Sequence, residues 1–418
     1  SYPSVTGIFN TACASPVTKE YTEDTMKDGF IRVAAATPDI HVADPQYNSE
    51  QIIELMEQGS TRGVKVMAFP ELCLTAYTCS DLFLQESLLR EAKKELKRIL
   101  QASKSKDMIL FVGMPWMHKG KLYNVAAVLN RGRILGIVPK KHLPNYSEFY
   151  ELRHFNPGME KVEMTDWEGV QVPMGMNLLF ACRTMLELVL AAELCEDVWV
   201  PCPPSISHAL AGATVIANCS ASDETTGKDQ YRYNLICGQS ARLVCGYIYA
   251  NAGEGESSQD LVFGGQNIIA ENGSILAESR LFENGITISE IDFKKLAFER
   301  RKISTYPASA EWDYSSKDSG FLDKDNISRE RFSLEMGETA LTRKFAKTPF
   351  IPSNQAERNE RCHLILQMQS HGLMKRIAHT HSKTVVIGIS GGLDSTLALL
   401  VCVMAMDLLK RPHTDIVA

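Results

Sequence analysis

The chain has 418 residues, more than one ordinary hydrophobic core holds, so two or more domains are expected. Its 44% hydrophobic and 22% charged content is typical of globular protein and excludes a disordered or fibrous class. The net charge of −6, from 44 basic and 50 acidic residues, provides no basic excess for nucleic acid or an anionic membrane, so neither is expected as a partner.

Two further features concern the cellular compartment. No apolar run approaches the roughly 20 residues of a transmembrane helix, and the start of the chain lacks the order of a secretory signal. The 11 cysteines are odd in number and scattered, without a CxxC pair or a Cys/His cluster at zinc-ligand spacing. These features predict reduced thiols and a cytoplasmic protein.

The spacing of apolar residues in the first half of the chain predicts a β–α–β–β unit after a polar N-terminal extension at residues 1–27. Apolar residues at helical spacing predict one helix capped by Asn48 or Ser49 and a second helix at 81–103. Apolar runs predict strands at 30–38, 64–69, 108–113, 122–129 and 133–139.

A second unit of similar order follows, with a helix at 231–242 and an Asn272-Gly273 hairpin turn. Its strands are predicted at 185–194, 213–219, 244–250, 261–269, 274–278 and 285–290. Residues 296–353 are charged and weakly periodic, which indicates a linker that partly wraps a neighbour. A helix at 354–380, a strand at 384–389, a helix at 397–409 and the start of a strand at 415–418 complete the chain. The predicted domains are therefore 28–295 and 354–418.

Three polar side chains stand at the ends of apolar strands. Glu71 follows the second strand in FPEL, Lys140 follows the strand at 133–139 in PKKHLP, and Cys195 ends the strand in AAELCED. Each has a structural explanation: a carboxylate at a helix end, a surface lysine, and a buried thiol of the kind that fills cores. Strand ends of α/β folds, however, are where reactive groups are displayed, so together the three favour a catalytic site.

A thiol, a carboxylate and an ammonium group are what cleavage of an amide requires. The thiol attacks the carbonyl carbon, and the carboxylate takes the thiol proton and passes it to the leaving ammonia. The ammonium group stabilises the oxyanion, and water then hydrolyses the thioester.

A glycine-rich turn, SGGLDS, joins the strand at 384–389 to the helix after it. Such a turn directs free N–H groups at an anion beside a positive helix end, and Gly391 and Gly392 permit close approach. Asp394 would repel a bare phosphate and fits better beside Mg²⁺, so Asp394 is the candidate metal ligand. A tight turn with a good N-cap is the structural alternative, but it explains only one glycine and one serine.

The Glu71, Lys140 and Cys195 segments resemble those of the nitrilase, or carbon–nitrogen hydrolase, superfamily, whose members share a Glu–Lys–Cys triad. The resemblance covers about residues 28–295 and implies a four-layer αββα sandwich. It places the lysine two residues before His142-Leu143, at Lys140 and not at the adjacent lysine. It also implies a second glutamate near the triad, mapped to Glu148 in YSEFYE.

SGGLDS resembles the PP-loop of the ATP pyrophosphatases, which implies the start of a Rossmann-like α/β domain. A nitrilase-type domain before a PP-loop resembles the family of glutamine-dependent NAD(+) synthetases. That resemblance implies glutamine, ATP with Mg²⁺, and deamido-NAD as substrates and cofactors, no cofactor for the glutaminase step, and a homo-oligomer. The family's α/β domain continues beyond the point matching Ala418, so this chain is expected to hydrolyse glutamine but not to make NAD.

The same resemblance maps glutamine contacts onto Tyr146, Ser222 and Lys228, although an exposed polar loop explains the last two equally well. The implied ATP contacts are Gly388, Ile389, Ser390, Gly391, Gly392, Leu393, Asp394 and Ser395. Two other functions stay open: a free-standing amidase acting on a small amide, and a nucleotide-sensing scaffold without catalysis.

Overall fold

The structure, a computed structural model, describes residues 28–306 and 327–418. The described residues divide into two compact units, with the boundary between Arg343 and Lys344. The predicted extension at 1–27 and part of the predicted linker lie outside the described residues, so the domain limits stay a prediction. None of the helices in the described ranges combines the length and apolarity that crossing a bilayer requires.

The first unit contains an eight-stranded mixed sheet, in the order β14-β1-β2-β3-β4-β5-β7-β6. Parallel pairing of β1, β2 and β3 brings the C-terminal ends of these strands to one edge. The strands are β1 (Phe30–Thr37), β2 (Val66–Ala68), β3 (Ile109–His118), β4 (Lys121–Asn130), β5 (Arg133–Pro139), β6 (Glu163–Trp167), β7 (Val170–Met174) and β14 (Gly285–Asp292).

A seven-stranded sheet faces the first one, in the order β13-β12-β11-β10-β9-β8-β15. Its central strands β9, β10 and β11 are parallel and fully buried. The strands are β8 (Leu178–Cys182), β9 (Val189–Leu194), β10 (Val215–Ser220), β11 (Gly246–Asn251), β12 (Ile268–Glu271), β13 (Ser274–Glu278) and β15 (Ser328–Phe332).

Four helices cover the outer faces of the two sheets, and a fifth, α5 (Phe293–Lys302), follows β14. Helices α1 (Pro45–Thr61) and α2 (Glu86–Ser103) pack on the first sheet, and α3 (Pro204–Leu210) and α4 (Lys228–Leu243) on the second. A core of alternate residues from both sheets, including Phe111 and Phe180, lies between them. The predicted αββα sandwich is confirmed.

The start of α1 differs from the prediction. Asp44 caps the helix by accepting the N–H of Tyr47 at 3.1 Å, and Pro45 is its first residue. A proline at this position has a fixed φ suited to the first turn and lacks an N–H that would be unpaired there. Asn48 and Ser49, the predicted caps, are buried inside the helix and hydrogen-bond to His41 and Glu95.

Several element predictions were wrong or incomplete. Strands β6, β7, β8 and β15 and helices α3 and α5 were not predicted, and 81–84 belong to a separate 3₁₀ helix, Tyr77–Leu84. The strand expected at 261–269 is short, because residues 261–267 form a loop whose buried Leu261 and Phe263 pack against Tyr77 and Phe149.

The end of the predicted linker is part of the first unit. Strand β15 pairs in parallel with β8, and the following residues 333–343, which we term the strap, run back to β14. Glu290 on β14 is fully buried and accepts hydrogen bonds from the backbone N–H groups of Thr342 and Arg343, both at 3.1 Å. It also pairs with Arg32 at 2.9 Å. This carboxylate is therefore one of the groups that hold the strap, together with Glu271, which pairs with Arg343 at 2.8 Å, and Asp28, which accepts the N–H of Thr339 at 2.8 Å.

Replacing Glu290 with glutamine should lower the free energy of unfolding by about 1.5–3 kcal/mol, because hydrogen bonds to a charged group are lost. Burial raises the pKa of Glu290, but the donors of Thr342, Arg343 and Arg32 outweigh burial and lower it overall. The stabilisation is thus present above the ordinary carboxyl pKa and is lost as pH falls through the lowered value. Urea unfolding at neutral pH and at successively lower pH should show the difference shrinking as pH falls below the ordinary carboxyl pKa.

The matched control for this prediction is Glu335→Gln. The Glu335 side chain is 81% exposed and pairs with Arg131 at 3.0 Å, so its replacement should change stability by less than about 1 kcal/mol. Equal losses in the two variants would contradict a special role for Glu290.

The second unit contains helices α6 (Gln355–Thr380) and α7 (Leu393–Leu408) and the short parallel strands β16 (Val385–Val386) and β17 (Ile416–Val417). Asn354 caps α6 by accepting the N–H of Ala356 at 2.8 Å. Helix α7 begins four residues before the predicted start at 397, directly after Gly392. The strand–turn–helix order expected for the glycine-rich turn is therefore present.

Candidate active site

The candidate site is formed by three residues that follow strands of the two facing sheets: Glu71, Lys140 and Cys195. Glu71 lies in the turn after β2, Lys140 directly follows β5, and Cys195 directly follows β9. The Glu71 turn lies so close to Gly113 on β3 that a Cβ there would approach the Pro70 carbonyl oxygen to 2.2 Å. Glycine at this position is what lets the turn settle onto the sheet.

Glu71 also connects the two sheets through backbone groups at the C-terminal end of β10. Its N–H donates to the carbonyl of Ser220 at 3.3 Å, and its Oε2 accepts the N–H of Ala221 at 3.1 Å. Its Oε1 accepts from Asn124 Nδ2 at 2.5 Å. The carboxylate is thus held in one orientation.

Lys140 lies between two carboxylates. Its Nζ is 2.6 Å from Glu71 Oε1 and 2.6 Å from Glu151 Oε1, and both Lys140 and Glu71 are fully buried. Burial opposes the charge on the lysine, but Glu151 and Glu71 outweigh burial and hold the pKa of Lys140 well above its ordinary value. Lys140 therefore remains an ammonium group at neutral pH. The neighbouring Lys141 is partly exposed and pairs with Glu160 at 2.6 Å.

The second carboxylate beside the lysine is Glu151, which the sequence analysis missed in favour of Glu148. Glu151 begins a short 3₁₀ helix and accepts from Tyr77 OH at 2.8 Å. Burial raises the pKa of Glu151 to about 7, although Lys140 opposes the shift. Glu148 lies three residues earlier and lines the pocket in front of Cys195. Both glutamates stand in one polar segment, and nothing in the spacing indicates which one is buried.

Cys195 has an unusual backbone conformation. Its φ of 37° lies in the left-handed region, which is uncommon for a residue other than glycine, and it begins a 3₁₀ helix, Cys195–Val198. Buried Asp197 accepts the N–H of Leu194 at 3.1 Å and the N–H of His142 at 2.9 Å. Asp197 thereby joins the turn that carries the thiol to the segment that follows Lys140.

The surroundings of Cys195 favour the neutral thiol. Burial, and then the negative charge of Glu71, raise the pKa of Cys195 to about 12, while Lys140 opposes the shift. A thiolate is the nucleophile, so attack at neutral pH requires transfer of the thiol proton to a base. Glu71, beside Lys140, has the chemistry for this transfer.

A pocket of ≈ 490 Å³ opens in front of the sulfur. Of the three residues Glu71, Lys140 and Cys195, it is Cys195 that lines this pocket, whereas the side chains of Glu71 and Lys140 are fully buried. Four further predicted site residues line the same pocket, together with Pro144, Phe149, Glu196 and Trp199: they are Tyr146, Glu148, Ser222 and Lys228.

The pocket wall carries both signs of charge. Lys228 Nζ lies 5.7 Å from the centre of the Phe149 ring and 5.6 Å from that of Trp199, and it pairs with Asp223. Tyr146 OH donates to Glu196 Oε1 at 2.9 Å. A cation, Lys228, and an anion, Glu196, in the lining of one pocket suit a ligand that carries a carboxylate and an ammonium group.

The glycine-rich turn lies in the second unit and is exposed. Gly391 has a φ of 82°, Gly392 precedes α7, and Ser395 and Thr396 hydroxyls donate to the carbonyl of Gly392 at 3.0 and 2.9 Å. The predicted ATP contacts from Gly388 to Ser395 therefore surround one helix N-terminus.

The described ranges contain no group of three His, Cys, Asp or Glu side chains able to hold a metal ion. The single carboxylate of Asp394 nonetheless fits Mg²⁺, which is commonly held by one or two carboxylates together with substrate phosphates.

The family profile for carbon–nitrogen hydrolases matches residues 32–301, and the profile for NAD synthases matches residues 365–414. The chain belongs to the carbon–nitrogen hydrolase family. The glutamine-dependent NAD(+) synthetases of Mycobacterium leprae and Mycobacterium tuberculosis are 39% identical to it over 394 residues, covering 93% of this chain and 57% of theirs. That of Aquifex aeolicus is 28% identical over 385 residues, covering 92% and 60%. The chain thus spans less than two thirds of these relatives.

Solved structures support the fold. A glutamine-dependent NAD(+) synthetase from Cytophaga hutchinsonii superposes with a TM-score of 0.57 at 23% identity, over 91% of this chain and 53% of that chain. A mutant of the Nesterenkonia AN1 amidase, from the nitrilase superfamily, superposes with a TM-score of 0.51 at 20% identity, over 66% and 97%. At these identities the likeness concerns the fold alone.

Proposed function

We propose that this chain hydrolyses glutamine to glutamate and ammonia, as the glutaminase part of a glutamine-dependent NAD(+) synthetase. The observation that supports this most strongly is the buried Glu71–Lys140 pair, in which Lys140 Nζ lies 2.6 Å from Glu71 Oε1, together with Cys195 in the lining of the pocket. The names of the relatives that match along most of the chain point to the same substrate.

The proposed mechanism begins with attack of Cys195 Sγ on the side-chain carbonyl carbon of glutamine. Glu71 accepts the thiol proton and delivers it to the leaving nitrogen, so that the C–N bond breaks and ammonia departs. Lys140 stabilises the negative oxygen of each tetrahedral intermediate. Glu71 then takes a proton from water, which attacks the thioester and releases glutamate and the thiol. One water is consumed for each glutamine.

The pocket wall supplies the contacts for the amino-acid head of glutamine. Lys228 binds the α-carboxylate, and Glu196, held by Tyr146, binds the α-ammonium group. Ser222, whose Oγ lies 3.3 Å from Arg232 NH2, adds a hydroxyl on the same wall.

For the second unit we propose binding of ATP at the glycine-rich turn, with Asp394 as one ligand of Mg²⁺. In the complete enzyme, ammonia amidates the adenylated carboxylate of deamido-NAD, giving NAD, AMP and pyrophosphate. Assembly as a homo-oligomer and a cytoplasmic location stay predictions.

The direct test is the release of glutamate and ammonium from glutamine by the purified chain. We expect turnover of glutamine and little turnover of propionamide, which lacks the charged head. Faster hydrolysis of propionamide than of glutamine would favour the free-standing amidase, and no hydrolysis of either amide would contradict the proposal.

Replacing Lys228 with methionine should raise KM for glutamine by about 10- to 100-fold, because a charge-assisted contact with the α-carboxylate is lost. The value of kcat should change by less than about fivefold, because this lysine does not touch the reacting atoms. Steady-state kinetics with glutamine measures both values.

Lys94→Met is the control for this variant, because Lys94 is exposed and pairs with Glu91 on α2. We expect its kinetics to match the parent chain. A lower kcat at unchanged KM in Lys228→Met would contradict the assignment of Lys228 to substrate binding.

A further inference from the structure

A polar network lies behind the turn that carries Cys195, on the side of the second sheet that faces α3 and α4. The backbone N–H of Cys195 donates to Oδ1 of Asn218 on β10 at 3.2 Å. Nδ2 of the same amide donates to the hydroxyl of Tyr247 on β11 at 3.1 Å. Tyr247 in turn donates to Oε1 of Glu193, which lies two residues before Cys195 on β9.

The far end of the network is anchored in a helix. Glu193 Oε2 accepts the N–H of Ser205 in α3 at 2.9 Å, and Ser205 Oγ accepts from Gln239 of α4 at 3.0 Å. Each polar side-chain atom of Glu193, Asn218 and Tyr247 thus has a partner. Such a network is expensive to bury unless it is fully satisfied, and once satisfied it defines one geometry.

The surroundings show that the network is not ordinary core filling. Glu193, Asn218 and Tyr247 are at most 1% exposed, and the apolar side chains of Ile216 and Ile236 belong to the same layer of the core. In the register of β9 and β10, Asn218 is the partner of Glu193. One side-chain amide therefore connects three neighbouring strands directly below the turn.

Cys195 is the residue that needs this support. A left-handed φ at a residue with a Cβ is strained and persists only where the surroundings impose it. We propose that Asn218, supported by Tyr247 and Glu193, is a positioning residue that fixes the backbone of Cys195 so that the sulfur faces the Glu71–Lys140 pair. This inference rests on the proposed amide hydrolysis.

The experiment compares Asn218→Leu and Tyr247→Phe with Asn130→Leu. Asn130 is a matched control, because it is a buried asparagine whose Nδ2 donates to the carbonyl of Met108 at 3.0 Å, at the end of β4. Two quantities are measured for each variant: kcat and KM for glutamine, and the rate at which iodoacetamide alkylates Cys195, followed by mass spectrometry of its peptide. Thermal unfolding of each variant reports the loss of stability alone.

Asn218→Leu should lower kcat by about 100-fold while KM changes by less than about threefold, because misplacement of a reacting group affects the chemical step. Tyr247→Phe keeps the shape of the side chain and should lower kcat by about tenfold. Alkylation of Cys195 should slow in the same order, because the displaced sulfur no longer passes its proton to Glu71. Asn130→Leu should lose thermal stability without either kinetic change.

Two results would overturn the inference: kinetic values of both network variants within about threefold of the parent chain, or an equal kinetic loss in Asn130→Leu. If Asn218→Leu does not fold, Tyr247→Phe decides by the same criteria. The alkylation rates need no substrate. They therefore test the positioning role even if the parent chain fails to hydrolyse glutamine, which is the failure of the proposed function itself.

Discussion

Replacing Cys195 with alanine should reduce glutamine hydrolysis by about 10⁴-fold or more, because the sulfur that forms the thioester is lost. The fold should survive, since alanine fits the site and loses only one sulfur. Steady-state ammonium release measures the activity, and near-UV circular dichroism checks the packing. In the parent chain, 6-diazo-5-oxonorleucine, an electrophile shaped like glutamine, should label the peptide that contains Cys195.

Two other cysteines provide controls. Cys219 is a fully buried thiol in the core between the sheets, and Cys202 is exposed seven residues after Cys195. Cys219→Ala should lower stability while keeping kcat, and Cys202→Ala should change neither. Labelling at Cys219 or Cys202, or full activity in Cys195→Ala, would remove Cys195 as the nucleophile.

Replacing either of two adjacent lysines should have opposite effects on glutamine hydrolysis, in the variants Lys140→Met and Lys141→Met. Lys140→Met should abolish hydrolysis to the limit of detection, because the oxyanion loses its cation and two buried carboxylates are left without the charge between them. Breaking a buried pair of this kind costs about 3–5 kcal/mol in stability, so the midpoint of urea unfolding should also fall.

Lys141→Met should retain activity and stability. The ammonium of Lys141 meets Glu160 at the surface, where an ion pair contributes about 0–1 kcal/mol. Loss of activity in Lys141→Met with activity retained in Lys140→Met would reverse the assignment of the two lysines. A Lys140→Met chain that is inactive only because it is unfolded would be recognised by its circular dichroism, and Lys140→Arg would then be the variant to measure.

The positions of Glu71, Lys140 and Cys195 could be predicted because each stands directly after an apolar run. Strand ends are visible in sequence as a change from apolar to polar residues, and α/β folds gather such ends at one edge. The preference for Lys140 over Lys141 came from family resemblance. The structure shows its physical counterpart, since only Lys140 is enclosed between carboxylates.

Other parts of the site are invisible to local patterns. Asn218 lies in the middle of an apolar strand, and its partners come from two other strands. Glu151 is buried only because Lys140 and Tyr77 surround it after folding. Their roles depend on contacts between residues far apart in the chain, which a period of two or 3.6 residues cannot encode.

The missed strands have a similar cause. In β6 and β7, EMTDW and VQVPM, exposed and buried residues are mixed with little regard to polarity, and these strands lie at the outer end of the first sheet. Short mixed strands of this kind resemble loops in sequence. The cap of α1 was misplaced because two good capping residues, Asn48 and Ser49, follow the true cap, Asp44.

The pairing of β1 with β14 has a consequence for biosynthesis. Phe30 on β1 pairs with Asp292 on β14, which lies 262 residues later in the chain (292 − 30). One of the two strands that flank β1 is therefore synthesised long after β1 itself. A nascent chain shorter than this carries an apolar strand with an open side, and closing so long a loop makes folding slow. The hydrolase unit should therefore depend on protection by chaperones until its last strand has been synthesised.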